Sequence, residues 1–211
     1  MIQLHGWISS PNDMESDEET SAYIAGRTFG DEYKLIRIDK ADKFNLGELR
    51  NLSVREADGS YVCQWDDDDW YAPDRLTEQM DFLTFRQKSG CVLSRWVIYD
   101  DFSQKAYLSN WRLWEGSILC RRDVMLQNPY PSLVRGEDTS VIEGLYKKNE
   151  IAIFDDMPHL YVYTVHGNNT WEYEHFNEIL NVSQELPESY TEDVLEALSE
   201  YLQPEQEELF K

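Results

Sequence analysis

Four consecutive aspartates, Asp66 to Asp69, lie between two tryptophans in the stretch QWDDDDWYAP, residues 64–73. Adjacent carboxylates repel one another, so a fold that gathers them either leaves them in water or places a positive charge beside them. A divalent cation such as Mg²⁺, Mn²⁺ or Ca²⁺ suits this role because it prefers oxygen ligands. Residues i and i+2 of an extended chain point to the same side, so Asp66 and Asp68 can bind one ion together. A solvated acidic turn is the alternative interpretation.

A second acidic group lies in RGEDT, residues 135–139, directly before a predicted helix. Asp138 can be the N-cap of that helix, where acidic residues stabilise the positive helix end. The same carboxylate can instead act as a general base, if it reaches a substrate hydroxyl and is shielded from water. The local sequence is compatible with both roles.

A third group is HGNNT, residues 166–170, which follows a predicted strand. The glycine after His166 permits a tight turn that would let the imidazole approach a metal or a phosphate. A surface histidine bonded to a neighbouring residue is the alternative.

All three groups lie beside the ends of predicted strands or the starts of predicted helices. Apolar runs predict strands at 2–8, 33–39, 61–65, 91–99, 105–108, 116–120, 151–154 and 160–165. Apolar spacing predicts helices at 14–25, from 46 to Gly59, and at 73–89, 139–148, 175–186 and 192–202. This order indicates a single α/β domain with a mixed sheet flanked by helices, in which ligands bind at the carboxyl ends of strands.

Two of the helix starts carry specific signals. Asn45 followed by Glu48 has the spacing of a capping box. Pro73 fits the first position of the helix after the aspartates, because the amide that proline lacks would be unpaired there.

The composition excludes several classes of protein. The chain has 211 residues with 41 Asp+Glu against 19 Lys+Arg, a formal net charge of -22, which disfavours binding to nucleic acid or anionic membranes. Its three cysteines, Cys63, Cys91 and Cys120, are far apart in apolar stretches and indicate buried thiols rather than a disulfide framework or a zinc site. No apolar run is long enough to span a bilayer and no signal peptide is evident, so a cytoplasmic protein is predicted.

Taken together, four segments resemble glycosyltransferase family 2, the inverting transferases of GT-A fold that use nucleotide-diphosphate sugars. The segments are residues 46–79, 112–124, 135–145 and 160–176, in the order that the family shows. The resemblance covers residues 33–180 and implies a GT-A-like, Rossmann-like domain over 1–211. Residues 1–32 then form an atypical N-terminal segment and residues 181–211 an acidic helical tail.

The resemblance also implies roles for individual residues. Asp66 and Asp68 match the DXD motif that binds Mn²⁺ or Mg²⁺, with His166 as a further metal or phosphate contact. Asp138 matches the catalytic base that deprotonates the acceptor hydroxyl, with Glu137 in support. The implied substrate contacts are Arg50, Asn51 and Asp69 on the side of the sugar donor, and Trp114 and Glu115 on the acceptor side. A UDP-sugar is the implied donor.

The N-terminus departs from the family pattern. Members open with an apolar strand and a Thr-Tyr-Asn-like loop, then a strand ending in Asp-Asp-Gly-Ser, and these elements hold the nucleotide base. Here MIQLHGWISSPNDMESDEETSAYIAG stands in their place, so half of the expected nucleotide pocket is missing or rebuilt.

Two other functions are compatible with this departure. The opening HGWI and the acidic helix faintly resemble small bacterial immunity proteins, and the net charge of -22 suits a basic partner. A catalytically inactive, glycosyltransferase-like binding or immunity-type protein is therefore the main alternative. An acidic Ca²⁺-binding module is the third.

Overall fold

The computed structural model describes residues 36, 38, 43–66, 68–167, 169 and 171–202. Its helices are α1 Leu46–Glu56, α2 Arg75–Phe85, α3 Arg122–Gln127, α4 Thr139–Lys147, α5 Tyr173–Leu180 and α6 Glu188–Leu202. Its strands are β1 Tyr61–Cys63, β2 Trp70–Tyr71, β3 Gly90–Leu93, β4 Val97–Asp100, β5 Lys105–Leu108, β6 Leu119–Arg121, β7 Ile151–Phe154, β8 Tyr161–Val165 and β9 Gln184–Glu185. None of these helices is both long and apolar enough to cross a bilayer. The elements predicted at 2–8 and 14–25, and all but two positions of 33–39, lie outside the described residues.

Helix α1 begins with the capping box that the sequence predicts. The side chain of Asn45 accepts a hydrogen bond from the amide of Glu48 at 3.1 Å, and the carboxylate of Glu48 accepts one from the amide of Asn45 at 3.0 Å. These bonds satisfy two amides that a helix start leaves unpaired, so the position of α1 in the chain is well defined.

Pro73 does not begin the helix after the aspartates, contrary to the prediction. Helix α2 starts at Arg75, whose amide bonds to the carbonyl of Ala72 at 3.0 Å and closes a turn around the proline. The helix also ends at Phe85, short of the predicted end. Gln87 adopts a left-handed φ of 51°, the conformation that commonly follows a helix C-terminus.

The strand predicted at 91–99 is divided between two sheets. The first sheet has the strand order β1-β6-β3-β7, and the second has the order β2-β8-β4-β5-β9. The β3–β7 and β4–β8 pairs are parallel, and the other pairs are antiparallel. The mixed α/β architecture is confirmed, although two mixed sheets take the place of one.

The first sheet is covered by helices on both faces. Val92 packs in one cluster with Ile142 and Leu145 of α4, whereas its neighbour Cys91 packs in another with Leu83 of α2. This division follows from the alternation of side chains along a strand. Because β1 belongs to the first sheet and β2 to the second, Asp66, Asp68 and Asp69 lie where the chain passes from one sheet to the other.

Candidate metal and catalytic site

The loop between β1 and β2 brings Asp68 to the end of β8. Strand β2 follows the aspartates directly and pairs antiparallel with β8. His166 is the residue after β8, and its Nε2 lies 3.2 Å from Oδ2 of Asp68. The amide of His166 donates to Oδ1 of Asn169 at 2.6 Å, which orders the turn. The structure thus joins two groups that are far apart in the sequence.

Asp138 approaches the same loop from the start of α4. Burial is the largest cause of the raised pKa of Asp66, and the negative charges of Asp68 and Asp138 raise it further. The positive charge of Arg50 acts in the opposite direction. The charges of Arg50 and Asp138, which come from two different helices, therefore act on the aspartate loop.

The backbone and side chain of Asp66 are both held in place. Its amide donates to the hydroxyl of Tyr71 at 2.7 Å, and one carboxylate oxygen accepts a hydrogen bond from Nε2 of Gln64 at 3.0 Å. Asp66 is half-buried, whereas Asp68 is exposed. The loop therefore presents one fixed and one accessible carboxylate.

Asp69 is buried and bonded on both carboxylate oxygens. It accepts hydrogen bonds from the hydroxyl of Tyr161 and from the amide of Thr164 at 3.0 Å, and only 2% of its surface is exposed. Burial, followed by the charges of Asp68 and Asp66, raises the pKa of Asp69 well above its usual value. Through these hydrogen bonds Asp69 connects the loop to β8. Its contact with a sugar stays a prediction.

We expect the raised pKa of Asp69 to make stability depend on pH. A carboxyl with a higher pKa in the folded protein binds its proton more tightly when folded, so it lowers stability as pH rises from its unfolded pKa of about 4 through the folded value. The Asp69→Asn variant removes this titration at nearly the same size. Denaturant unfolding from about pH 5 to 8 should show Asp69→Asn gaining stability relative to the unmodified protein as pH rises. A difference in stability between the two proteins that does not change with pH would contradict the raised pKa of Asp69.

Arg50 of α1 lies among the carboxylates. Its Nε is 2.5 Å from Oε1 of Glu137, and the two side chains are 13% and 2% exposed. Burial lowers the pKa of Arg50, but the charges of Asp66 and Glu137 outweigh burial and raise it. The pKa of Glu137 is raised as well, because burial of the carboxyl outweighs the effect of Arg50. The pair connects α1 to the residue before Asp138.

The backbone of segment 128–138, which leads to Asp138, is also attached to α1. Asn51 donates from Nδ2 to the carbonyl of Tyr130 at 2.7 Å and accepts from the amide of Tyr130 at 2.9 Å. A Cβ at Gly47 would meet the carbonyl oxygen of Pro131 at 1.9 Å, so this approach requires glycine. Asn51 is predicted to contact the sugar donor. Here its side-chain amide donates one hydrogen bond and accepts another, and both hold the segment.

Asp138 occupies the N-cap position of α4, but its side chain makes no capping hydrogen bond. Gly136 adopts a φ of 67°, a conformation that favours glycine, as the chain turns into the helix. The side chain of Asp138 is half-buried. The backbone of Asp138 therefore lies at the helix cap, as that alternative predicts. Its carboxylate does not cap the helix and stays available to a ligand.

Residues 13–136, more than half of the chain, match the sequence profile of glycosyl transferase family 2. The chain belongs to glycosyl transferase family 2. The matched region contains the aspartate loop and ends just before Asp138. No curated protein matches the chain.

The fold of this family 2 chain is similar to crystal structures of S. aureus TarS. The structure of TarS 1–349 in complex with UDP-GlcNAc has a TM-score of 0.54 at 15% identity, over 90% of this chain and 60% of that one. A second structure of TarS 1–349 has a TM-score of 0.51 at 15% identity, over 95% of this chain and 60% of that one. The chain thus spans about 60% of the length of the TarS chains that it matches.

The ligand atoms present in this glycosyl transferase family 2 chain fit an open metal site. Asp68 and His166 offer an oxygen and a nitrogen 3.2 Å apart, with 43% and 25% of their side chains exposed. In the described part of the chain, no group of three or more His, Cys, Asp or Glu side chains is arranged to hold a metal ion. Mg²⁺ typically takes only about one or two carboxylates together with substrate phosphates. The two atoms form no closed cage, so a cation at this position would need further ligands.

Trp114 and Glu115, predicted to line the acceptor side, contact other parts of the protein. Trp114 stacks on Trp96 with ring centroids 4.3 Å apart and meets the edge of Tyr161. Glu115 is buried and paired with Arg112 at 3.1 Å. Their contact with an acceptor stays a prediction.

Sequence reasoning missed several residues that support this site, among them Gln64, Tyr71, Tyr130 and Tyr161. Gln64 is a polar residue in an apolar strand, and that signal could have singled it out. Tyr71 and Tyr161 carried no such signal, because aromatic residues in strands are ordinary core residues.

Proposed function

We propose that this protein transfers a sugar from a nucleotide-diphosphate sugar to an acceptor hydroxyl, with inversion and with the assistance of a divalent metal. The observation that carries the proposal is the contact of His166 with Asp68 at 3.2 Å. The charges of Arg50 and Asp138 act on the neighbouring Asp66 and support it. Family membership supports the same reaction.

The metal would be held by Asp66, Asp68 and His166. When bound, a divalent cation would neutralise charge on the departing diphosphate. Hard oxygen ligands favour Mg²⁺ or Mn²⁺ for this role. The hydrogen bond from Gln64 and the contact with Tyr71 would keep Asp66 oriented before the cation arrives.

Asp138 would be the catalytic base. It would take the proton of the acceptor hydroxyl while the hydroxyl oxygen forms a bond to the anomeric carbon. The bond from that carbon to the phosphate oxygen breaks, and the diphosphate leaves with the electron pair. Attack opposite the leaving group inverts the configuration. Glu137 is unsuited to this step because it is buried and paired with Arg50, so its support is to position the segment that carries Asp138.

The nucleotide would occupy the cleft between α1 and β1. Arg50, Gln64, Trp65 and Tyr130 are among its lining residues. Oε1 of Gln64 is buried without a hydrogen-bond partner in the described part of the chain. The TarS structure in complex with UDP-GlcNAc makes a UDP-sugar the first donor to test.

Calorimetric titration of UDP in the presence of Mn²⁺ tests the proposal. We expect binding that requires the metal, and we expect Asp68→Asn to weaken it by at least about 10–100-fold, the loss that is typical even of residues that only support a metal ligand. Asp81→Asn, which changes an exposed aspartate on α2, is the matched control and should bind normally. The proposal fails if the unmodified protein binds no nucleotide, or if Asp68→Asn binds as well as Asp81→Asn.

A further inference from the structure

Arg75 at the start of α2 is a buried cation with unpaired nitrogens. None of its surface is exposed. Its Nε donates to Oε1 of Gln79 at 3.0 Å, but Nη1 and Nη2 have no hydrogen-bond partner in the described part of the chain. Arginine stays protonated in proteins, and burying an unpaired charge is costly. A structure that keeps this charge must compensate it in another way.

Three aromatic rings surround the guanidinium group. Its central carbon lies 4.5 Å from the ring centroid of Tyr71, 5.1 Å from that of Trp65 and 5.5 Å from that of Tyr161. The negative faces of aromatic rings attract a cation within about 6 Å, and more strongly where water is excluded. The rings therefore compensate part of the cost of burial.

Two of these rings also hold the aspartate loop. The hydroxyl of Tyr71 accepts a hydrogen bond from the amide of Asp66 at 2.7 Å. The hydroxyl of Tyr161 donates one to the carboxylate of Asp69. Arg75 is thus connected to both aspartates through a single aromatic side chain in each case. The carboxylates of the loop repel one another, and a positive charge in a dry environment acts over a longer range than one in water.

We propose that Arg75 is a positioning residue, whose buried charge orients Tyr71 and Tyr161 and thereby keeps Asp66 and Asp69 of the acidic loop ordered. The importance of this order for metal binding rests on the proposed function, whereas the order of the loop itself does not. Gln79 supports the arrangement, because it holds Nε of Arg75 and donates to the carbonyl of Ser117 at 2.8 Å.

Hydrogen–deuterium exchange of the metal-free protein tests this inference. In Arg75→Met we expect the amides of 64–71 and 161–166 to exchange about tenfold faster, because the tyrosine contacts loosen locally. Arg75→Lys keeps the charge and should stay within about threefold of the unmodified protein. Arg86→Met is the matched control, since Arg86 is an exposed arginine 5.7 Å from the Phe82 ring at the other end of α2.

Three results would overturn the inference: normal exchange in Arg75→Met, equal acceleration in Arg75→Met and Arg75→Lys, or acceleration spread equally to α4. Tyr71→Phe keeps the ring and removes the hydroxyl, and it decides the question if Arg75→Met does not fold. We expect Tyr71→Phe to accelerate exchange in 64–69 and to leave 161–166 unchanged, and unchanged exchange in 64–69 would count against the inference. Failure of the unmodified protein to bind Mn²⁺ and UDP would refute the proposed function and leave these exchange results interpretable.

Discussion

Asp138→Asn should lower the rate of sugar transfer by about 10²–10⁴-fold, the usual contribution of a general base. The asparagine has the same shape but cannot accept the proton of the acceptor hydroxyl. The Asp138 side chain makes no capping hydrogen bond, so its replacement should leave α4 intact. The lower rate is measured as the release of UDP from a UDP-sugar, with and without candidate acceptors.

Nucleotide binding separates a base from a structural residue in this experiment. Calorimetry should show that Asp138→Asn binds UDP with Mn²⁺ normally, because Asp138 acts on the acceptor side. Glu143→Gln changes an exposed carboxylate on the same helix, paired with Lys147, and should retain full activity. A fully active Asp138→Asn would remove Asp138 from the mechanism, and an equal loss in Glu143→Gln would point to a defect of α4.

Arg50→Met should destabilise the protein by about 3–5 kcal/mol, as removal of one partner from a buried ion pair typically does. The substitution leaves Glu137 with 2% of its side chain exposed and no counter-charge. It also removes the positive charge that opposes the repulsion between Asp66 and Asp138. Denaturant unfolding at neutral pH measures the change as a shift of the midpoint.

A double-mutant cycle assigns this loss to the pair. Arg50→Met with Glu137→Gln should recover part of the stability, since no buried charge is then left unpaired. Lys147→Met breaks the exposed pair with Glu143 and should have a much smaller effect. Additive losses from the two single substitutions would show that Arg50 and Glu137 do not act as a pair.

The helix α1 thus supports the proposed catalytic base from a distance. Arg50 and Asn51 were predicted to contact the sugar donor, and in the structure they hold Glu137 and Tyr130 in the segment before Asp138. Contact of Arg50 with a nucleotide is compatible with this role, because Arg50 also lines the cleft beside Gln64.

Local signals in the sequence predicted individual elements well where the deciding bonds are short-range. The capping box of Asn45 and Glu48 involves residues three apart, and it is present. The start of α2 was misplaced because a turn around Pro73 competes with helix formation. The single strand predicted at 91–99 was wrong because an apolar run does not reveal that β3 and β4 pair with different partners.

The sequence by itself determined the α/β class, the position of the acidic loop after a buried strand, and membership of glycosyl transferase family 2, since these rest on local patterns and on motifs in order. The tertiary structure alone decided which of these residues meet. Asp68 and His166 are 98 positions apart, and Arg50 and Glu137 are 87 apart. The first contact depends on the pairing of β2 with β8, and the second depends on the packing of α1 against the segment before α4. No local pattern specifies either of them. The same holds for Arg75, whose burial among three rings arises only when α2, β2 and β8 are brought together.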